Sequence, residues 1–209
     1  LNQRRCDMDD SQAARPDLAG IALAAGAGTR LRPLTSLRPK PLCPVGDRAL
    51  LDWAIDALGP AVAALAVNCH HGRDQIERHV AQHGAVAGRS IHLSVEAPAA
   101  LGTAGAVAQL APWLDGRGAL VVNGDTWHRA DLAGFVDGWD GERVRILTPT
   151  PLPFGPRSGI VASILPWSAV TGLAVTPSGL WETVWRGELD AGRLDAVHHD
   201  GAVVDCATP

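Results

Sequence analysis

At 209 residues, with 46% apolar side chains, the chain is long enough to bury one sizeable core and too apolar to stay disordered. Its 18 basic and 22 acidic residues leave a formal net charge of -4, without the concentrated basic face that nucleic-acid partners require. The longest apolar runs are strand-sized and span no bilayer, and Cys6, Cys43, Cys69 and Cys206 are scattered without zinc-site or disulfide-framework spacing. A reducing cytoplasm is therefore the expected location, with no nucleic-acid or membrane partner.

Residues 1–17 are polar and aperiodic, and are expected to form a flexible N-terminal extension to a single domain over 18–209. Leu18–Ala25 is a short apolar run ending in glycines, as expected of a buried strand feeding a loop. Ala49–Leu58 has helical apolar spacing, Ala61–Asn68 reads as a strand, and Arg73–Gln82 as an amphipathic helix. A strand at Ser90–Val95, a helix at Thr103–Leu110 and a strand at Gly118–Asn123 follow. A helix over about Asp131–Trp139 and a strand at Arg143–Thr148 complete the regular stretch. This alternation predicts an α/β fold, a mostly parallel, Rossmann-like sheet flanked by helices. After Pro149 the pattern weakens. Short strands near 159–164 and 170–175, a helix at Leu180–Leu189 and a final strand at Ala202–Cys206 are the expectations there.

The most informative segment is GIALAAGAGTRLRPLTSLRPKPLCPVG, residues 20–46. The turn Gly26-Ala27-Gly28 lets backbone N–H groups approach phosphate oxygens with no side chain in the way. Arg30 carries a planar fork of donors suited to two phosphate oxygens at once, and Arg32, Arg38 and Lys40 add positive charge. Prolines 33, 39, 41 and 44 stiffen the loop, so these cations are held in place. No Gly-Lys dipeptide occurs, which excludes a Walker A loop, and Leu31 stands where a GxGxxG fingerprint needs its third glycine.

Over some two dozen positions the segment resembles the LAAGxGTRLxPLTxxxPKPxxPV signature of the sugar-1-phosphate nucleotidyltransferases. Three later stretches resemble further elements of that family: VNCHH at 67–71, Glu96 with LGTAG at 101–105, and LVVNGDT at 120–126. The last residues, VDCATP at 204–209, resemble its DxGTP element with Cys206 and Ala207 in place of the usual residues. The resemblance is close over 18–148, the expected nucleotide-binding part, and loose over 149–209, the expected sugar-phosphate part. It implies the nucleotide-diphospho-sugar transferase type of fold and an enzyme that joins a sugar 1-phosphate to NMP from an NTP, releasing pyrophosphate.

The resemblance also implies residue roles. Arg30 is expected on the triphosphate and the leaving pyrophosphate, and Lys40 between the sugar phosphate and the α-phosphate. Ala25, Gly26, Gly28, Thr29, Glu96, Gly102 and Thr103 are expected to surround the nucleotide, with Glu96 accepting from a ring N–H of the base. Asp125 and Asp205 are expected to hold Mg²⁺, a hard cation that takes carboxylate and phosphate oxygens. Asn123, Trp127 and Gly172 are the positions expected to line the sugar pocket. The adjacent His70 and His71 are expected to point their rings apart, as neighbours on a strand do. The VNCHH and LGTAG elements look closest to the mannose-1-phosphate guanylyltransferase and N-acetylmuramate-1-phosphate uridylyltransferase branches. Base, sugar and oligomeric state stay open. So do two alternatives: a cytidylyltransferase acting on an alcohol phosphate such as phosphocholine, and a non-catalytic sugar-nucleotide-binding module, suggested by the irregular last element.

Overall fold

The computed structural model describes residues 15–206. Most of the expected 1–17 extension, and residues 207–209 of the last motif, lie outside the described residues. Strand β1 (Arg15–Leu23) starts three residues earlier than its apolar pattern suggests, because Arg15 N–H donates to the Ala61 carbonyl at 3.2 Å. A hairpin, β2 (Pro44–Val45) and β3 (Arg48–Ala49), leads into α1 (Leu50–Leu58), whose first turn is capped by Asp52 accepting from Ala49 N–H. Then come β4 (Val62–Cys69), α2 (Arg73–Ala87), β5 (Ile91–Val95), α3 (Gly102–Leu114) and β6 (Gly118–Asn123). The remaining elements are β7 (Thr126–His128), α4 (Leu132–Asp137), β8 (Arg145–Thr148), β9 (Ala162–Leu165), α5 (Trp167–Val170), a π-turn (Trp181–Trp185) running into α6 (Arg186–Asp190), β10 (Asp195–His198) and β11 (Val203–Asp205).

Seven strands form one sheet in the order β10-β8-β9-β6-β1-β4-β5. All neighbours are parallel except β9, which runs antiparallel to both β6 and β8. Period-2 alternation along β1 and β6 splits the core into two layers. Leu18, Ala22, Leu120 and Val122 face α1, α2 and α4, whereas Ala19, Ile21, Ala119 and Val121 face α3 and α5. The chain leaves β1 toward β4 on one side, while β6 joins from the other, so the sheet reverses its winding at β1. In open α/β sheets ligands bind outside the carboxyl ends of the strands at such a reversal.

The rear of the chain departs from the sequence reading. The strand expected at 170–175 is the short α5 followed by turns; β6 already pairs on both sides with β1 and β9, which leaves that segment no free central edge. β7 and β10 were not foreseen. β7 pairs antiparallel with β11 in a separate two-stranded ribbon, and β10 adds to the edge of the main sheet beside β8. No helix among the described residues is long and apolar enough to cross a membrane.

Candidate active site

The glycine loop leaves β1 at the reversal point and is held there from both sides. Ala24 N–H donates to Asn68 Oδ1 of β4 at 2.7 Å, and Gly124 N–H, just after β6, donates to the Leu23 carbonyl at 2.8 Å. Gly28 has φ 59, in the left-handed region, and a Cβ there would lie 2.9 Å from Lys40 Cβ, so only glycine fits. Its carbonyl accepts from Thr35 Oγ1 at 2.8 Å. Ala25 is buried under the loop, while Gly26, Thr29 and Arg30 are exposed on it. A short 3-10 turn at Lys40–Leu42, opened by Pro39 and containing Pro41, buries the Lys40 stem and delivers its ammonium to the loop.

Lys40 is only 5% exposed, yet its Nζ lies 2.6 Å from Asp125 Oδ2 and 3.9 Å from Asp205 Oδ1. The two aspartates meet because of the β7–β11 register, which pairs Asp205 with Thr126, the residue after Asp125. One ammonium reaching both carboxylates fixes them on a single point, although one follows β6 and the other ends β11. Asp125 does not cap the next helix; Asp131 does, accepting from Gly134 N–H.

Two cavities meet at this point. One of about 260 Å³ is walled by Gly26, Gly28, Thr29 and the loop backbone, the other of about 500 Å³ by Asn123, Thr126, Gly159, Val203 and Asp205. Arg30, Lys40 and Asp125 line both. Backbone donors in the smaller cavity, Arg30, Lys40 and Asp125 at the junction and Asp205 in the larger cavity suit a polyphosphate crossing from one to the other. A third cavity of about 310 Å³, walled by Trp181 and Trp185, shares Asn123 and Ile160 with the larger of these.

The other expected residues lie outside the two joined cavities, Thr103 in the wall of the third. Glu96 is buried at 2% exposure, and both of its side-chain oxygens are taken internally, by Asn68 Nδ2 and by Leu101 N–H, each at 2.6 Å. Gly102 has φ 69 and is covered by the backbone of Ser178, whose carbonyl would lie 2.5 Å from a Cβ. Thr103 Oγ1 accepts from Leu180 N–H at 2.8 Å. Trp127 packs edge-on against Trp53 of α1, at 6.2 Å between centroids; alternation along β7 gives the cavity to Thr126 instead. Gly172 lies in the turns after α5 and lines none of the three cavities. His70 and His71 lie past the end of β4, so their rings do not diverge; the centroids are 5.1 Å apart. Sequence reasoning missed Asn68, Thr126 and Gly159. Asn68 and Thr126 carried a signal, each lying in a stretch that resembles a family element, VNCHH and LVVNGDT; Gly159 carried none.

Burial raises the thiols of Cys43 and Cys206 above their ordinary range, so neither is activated as a nucleophile. His128, at the end of β7, is held down to about 4 by burial and, secondarily, by His199.

Residues 19–148 match the family described as Nucleotidyl transferase. The N-acetylmuramate alpha-1-phosphate uridylyltransferase of Neisseria meningitidis serogroup B is 39% identical, with 91% of this chain and 94% of that protein covered. The mannose-1-phosphate guanylyltransferase of Mycobacterium tuberculosis is 31% identical over 56% of this chain and 32% of that protein. The chain thus spans nearly all of the first relative and about a third of the second. A solved UDP-glucose pyrophosphorylase from Acinetobacter baumanii shares the fold, with a TM-score of 0.73 at 15% identity over 91% of this chain and 88% of that one.

Proposed function

The chain belongs to the nucleotidyl transferase family, and from that premise we propose how its site works and on what. It is a sugar-1-phosphate nucleotidyltransferase, forming an NDP-sugar from an NTP and a sugar 1-phosphate with loss of pyrophosphate. The proposed substrates are UTP and N-acetylmuramate 1-phosphate, supported by the similarity to the meningococcal uridylyltransferase over almost its whole length. Residues 18–148 would bind the nucleotide and 149–209 the sugar phosphate. The cytoplasm is the proposed setting, where nucleoside triphosphates are made.

The observation that carries the mechanism is the Lys40 ammonium set against Asp125 and Asp205 where the two cavities join. A sugar phosphate oxygen attacks the α-phosphorus in line; it is already an anion, so no general base is needed. The obstacle is repulsion between anions, which fixed cations lower. Arg30, exposed on the loop and lining both cavities, holds the triphosphate and then the departing pyrophosphate. Lys40 lies between the attacking phosphate and the α-phosphate. The N–H groups of Gly26–Thr29 orient the β- and γ-phosphates.

The carboxylates fit Mg²⁺. Among the described residues no group of three or more His, Cys, Asp or Glu is arranged to hold a metal, and Mg²⁺ needs no such cage. It takes one or two carboxylates and completes its shell with water and phosphate. Asp125 and Asp205 would hold it, and when bound it supplies further neutralisation of phosphate charge. The test is a pyrophosphate-release screen of five nucleoside triphosphates against a panel of sugar 1-phosphates, with and without Mg²⁺. Turnover should be highest with UTP and N-acetylmuramate 1-phosphate and absent without the metal. Release that needs no sugar phosphate, or none with any pair, would overturn the assignment.

A further inference from the structure

Four residues from four separate stretches of the chain form one buried polar chain at the carboxyl edge of the sheet. Ala24 N–H, at the start of the glycine loop, donates to Asn68 Oδ1 at 2.7 Å. Asn68 Nδ2, at the end of β4, donates to Glu96 Oε1 at 2.6 Å, just past the end of β5. Glu96 Oε2 accepts from Leu101 N–H at 2.6 Å, where α3 begins. Asn68 and Glu96 are each 2% exposed, so no water competes for these bonds.

The chain has a direction. An N–H can only donate, and Asn carries one accepting oxygen and one donating nitrogen. Ala24 N–H is therefore served only when Asn68 turns its oxygen toward it, which points the amide nitrogen at Glu96. A carboxylate accepts through both oxygens and so fixes that orientation while also holding Leu101 N–H. Neither group is left unsatisfied, as burial requires.

We propose that Glu96 and Asn68 are positioning residues for the phosphate-binding loop: Glu96 sets the orientation of the Asn68 amide, and Asn68 anchors Ala24, fixing where the Gly26–Thr29 donors point. The proposal rests on the reading that this loop holds the triphosphate. It replaces a base-reading role for Glu96, whose two oxygens are already committed inside the protein. Misplacing donors by about 1 Å can lower a rate by roughly a hundredfold, so a carboxylate remote from the reacting atoms can govern turnover.

The directionality supplies its own test. In Glu96→Gln, the introduced amide nitrogen must face another donor, Leu101 N–H or Asn68 Nδ2, whichever way it turns. In Asn68→Asp, Ala24 N–H keeps an acceptor but two carboxylates face each other in a buried space. The double variant Asn68→Asp/Glu96→Gln exchanges donor and acceptor between the two positions. The introduced amide nitrogen then donates to one oxygen of the introduced carboxylate, whose other oxygen still accepts from Ala24 N–H. The introduced amide oxygen accepts from Leu101 N–H. Every bond is restored with different atoms.

Each single variant should lower kcat about 10- to 100-fold, by the same factor for every nucleotide accepted and with the KM for sugar phosphate unchanged. The double variant should recover most of the loss. In ligand-free protein, amide exchange at Ala24 and the following loop should speed up in the single variants and return toward wild type in the double. If Asn68→Asp alone does not fold, Glu96→Gln and the double variant carry the comparison. A change in the ratio of rates between UTP and other triphosphates, with no recovery in the double variant, would overturn the proposal and return Glu96 to base reading. Lowered melting temperatures with kcat intact at 25 °C would also overturn it, leaving a purely structural role. The exchange measurement needs no substrate, so it tests the relay even if the pyrophosphate screen finds no active pair.

Discussion

The two flanks of the site are built differently. On the glycine-loop flank Lys40 and the start of the loop are braced from below, beneath the exposed Arg30: Lys40 on a buried turn, Ala24 on Asn68, Asn68 on Glu96. On the other flank Asp205 sits at the end of β11, a three-residue strand paired with the three-residue β7, and its side chain is 71% exposed. In the proposed mechanism the braced flank handles the triphosphate, whose geometry is the same whatever sugar arrives. On that proposal the lightly held flank meets the variable substrate. Polar groups with fully satisfied buried bonds are rigid, whereas short exposed ladders open at little cost. The difference predicts that damage to the first flank removes turnover outright, while damage to the second can be compensated.

The sharpest break of that comparison is at Asp125 and Lys40. Asp125→Asn should lower kcat by roughly a thousandfold, since a lost charge-stabilising interaction in such a site is worth several kcal/mol. Lys40→Ala should lower it by about a hundredfold or more, as should Arg30→Ala. Each is read from steady-state pyrophosphate release, with melting curves to show that the folds survive. Near-normal turnover at saturating sugar phosphate in any of the three would remove that residue from the mechanism.

A smaller effect is expected on the second flank. Asp205→Asn keeps the shape of the side chain and the Lys40–Asp125 contact. It should raise the Mg²⁺ concentration for half-maximal rate by about tenfold, with most of kcat regained at high Mg²⁺, because Mg²⁺ is content with one carboxylate. If high Mg²⁺ restores nothing, Asp205 belongs with Asp125 on the indispensable side and the contrast between the flanks fails.

The same contrast decides what was legible in the sequence. The β1 loop, Lys40 and Asp125 are local features: an apolar run, glycines, a cation, and an acid closing a buried strand. Local pattern exposes these as features, and the family resemblance assigns their roles. Asp205 was legible as a motif, but its meeting with Lys40 depends on the β7–β11 register, and β7 is too short and polar to leave a strand pattern. The 170–175 segment looked like a strand because Leu173, Ala174 and Val175 are apolar, yet Val175 is 55% exposed and the segment is turn. Glu96 shows the opposite gap. Its motif was visible, but nothing local reveals that Asn68, 28 residues earlier, would occupy its carboxylate. Gly102 likewise gave no hint that the backbone of Ser178 would cover it.

The mildest probe of the second flank is pH, acting through His128. This histidine closes β7, pairs with Val203 of β11, is 5% exposed, and accepts from Ala130 N–H through Nδ1 at 3.3 Å. Burial, helped by nearby His199, lowers it from 6.5 to about 4. Between these values the unfolded chain binds a proton that the folded one refuses, so stability rises with pH across that window. The contribution of His128 is complete above about pH 6.5 and is lost as pH falls toward 4, amounting to about 3 kcal/mol at the lower limit. For a chain of this size that is a fall of roughly 10 °C in melting temperature. His128→Asn keeps an acceptor where Nδ1 lies but has no proton to gain, so its melting temperature should fall less over the same range. Other groups titrate there too, and only the difference between the two proteins reports on His128. The loss should also be local, because His128 braces the ribbon that carries Asp205: at pH 5 amide exchange should quicken in β7 and β11 before β1 and β4 respond. Parallel pH profiles for the two proteins would remove His128 as the cause, and uniform exchange across the sheet would erase the distinction between the flanks.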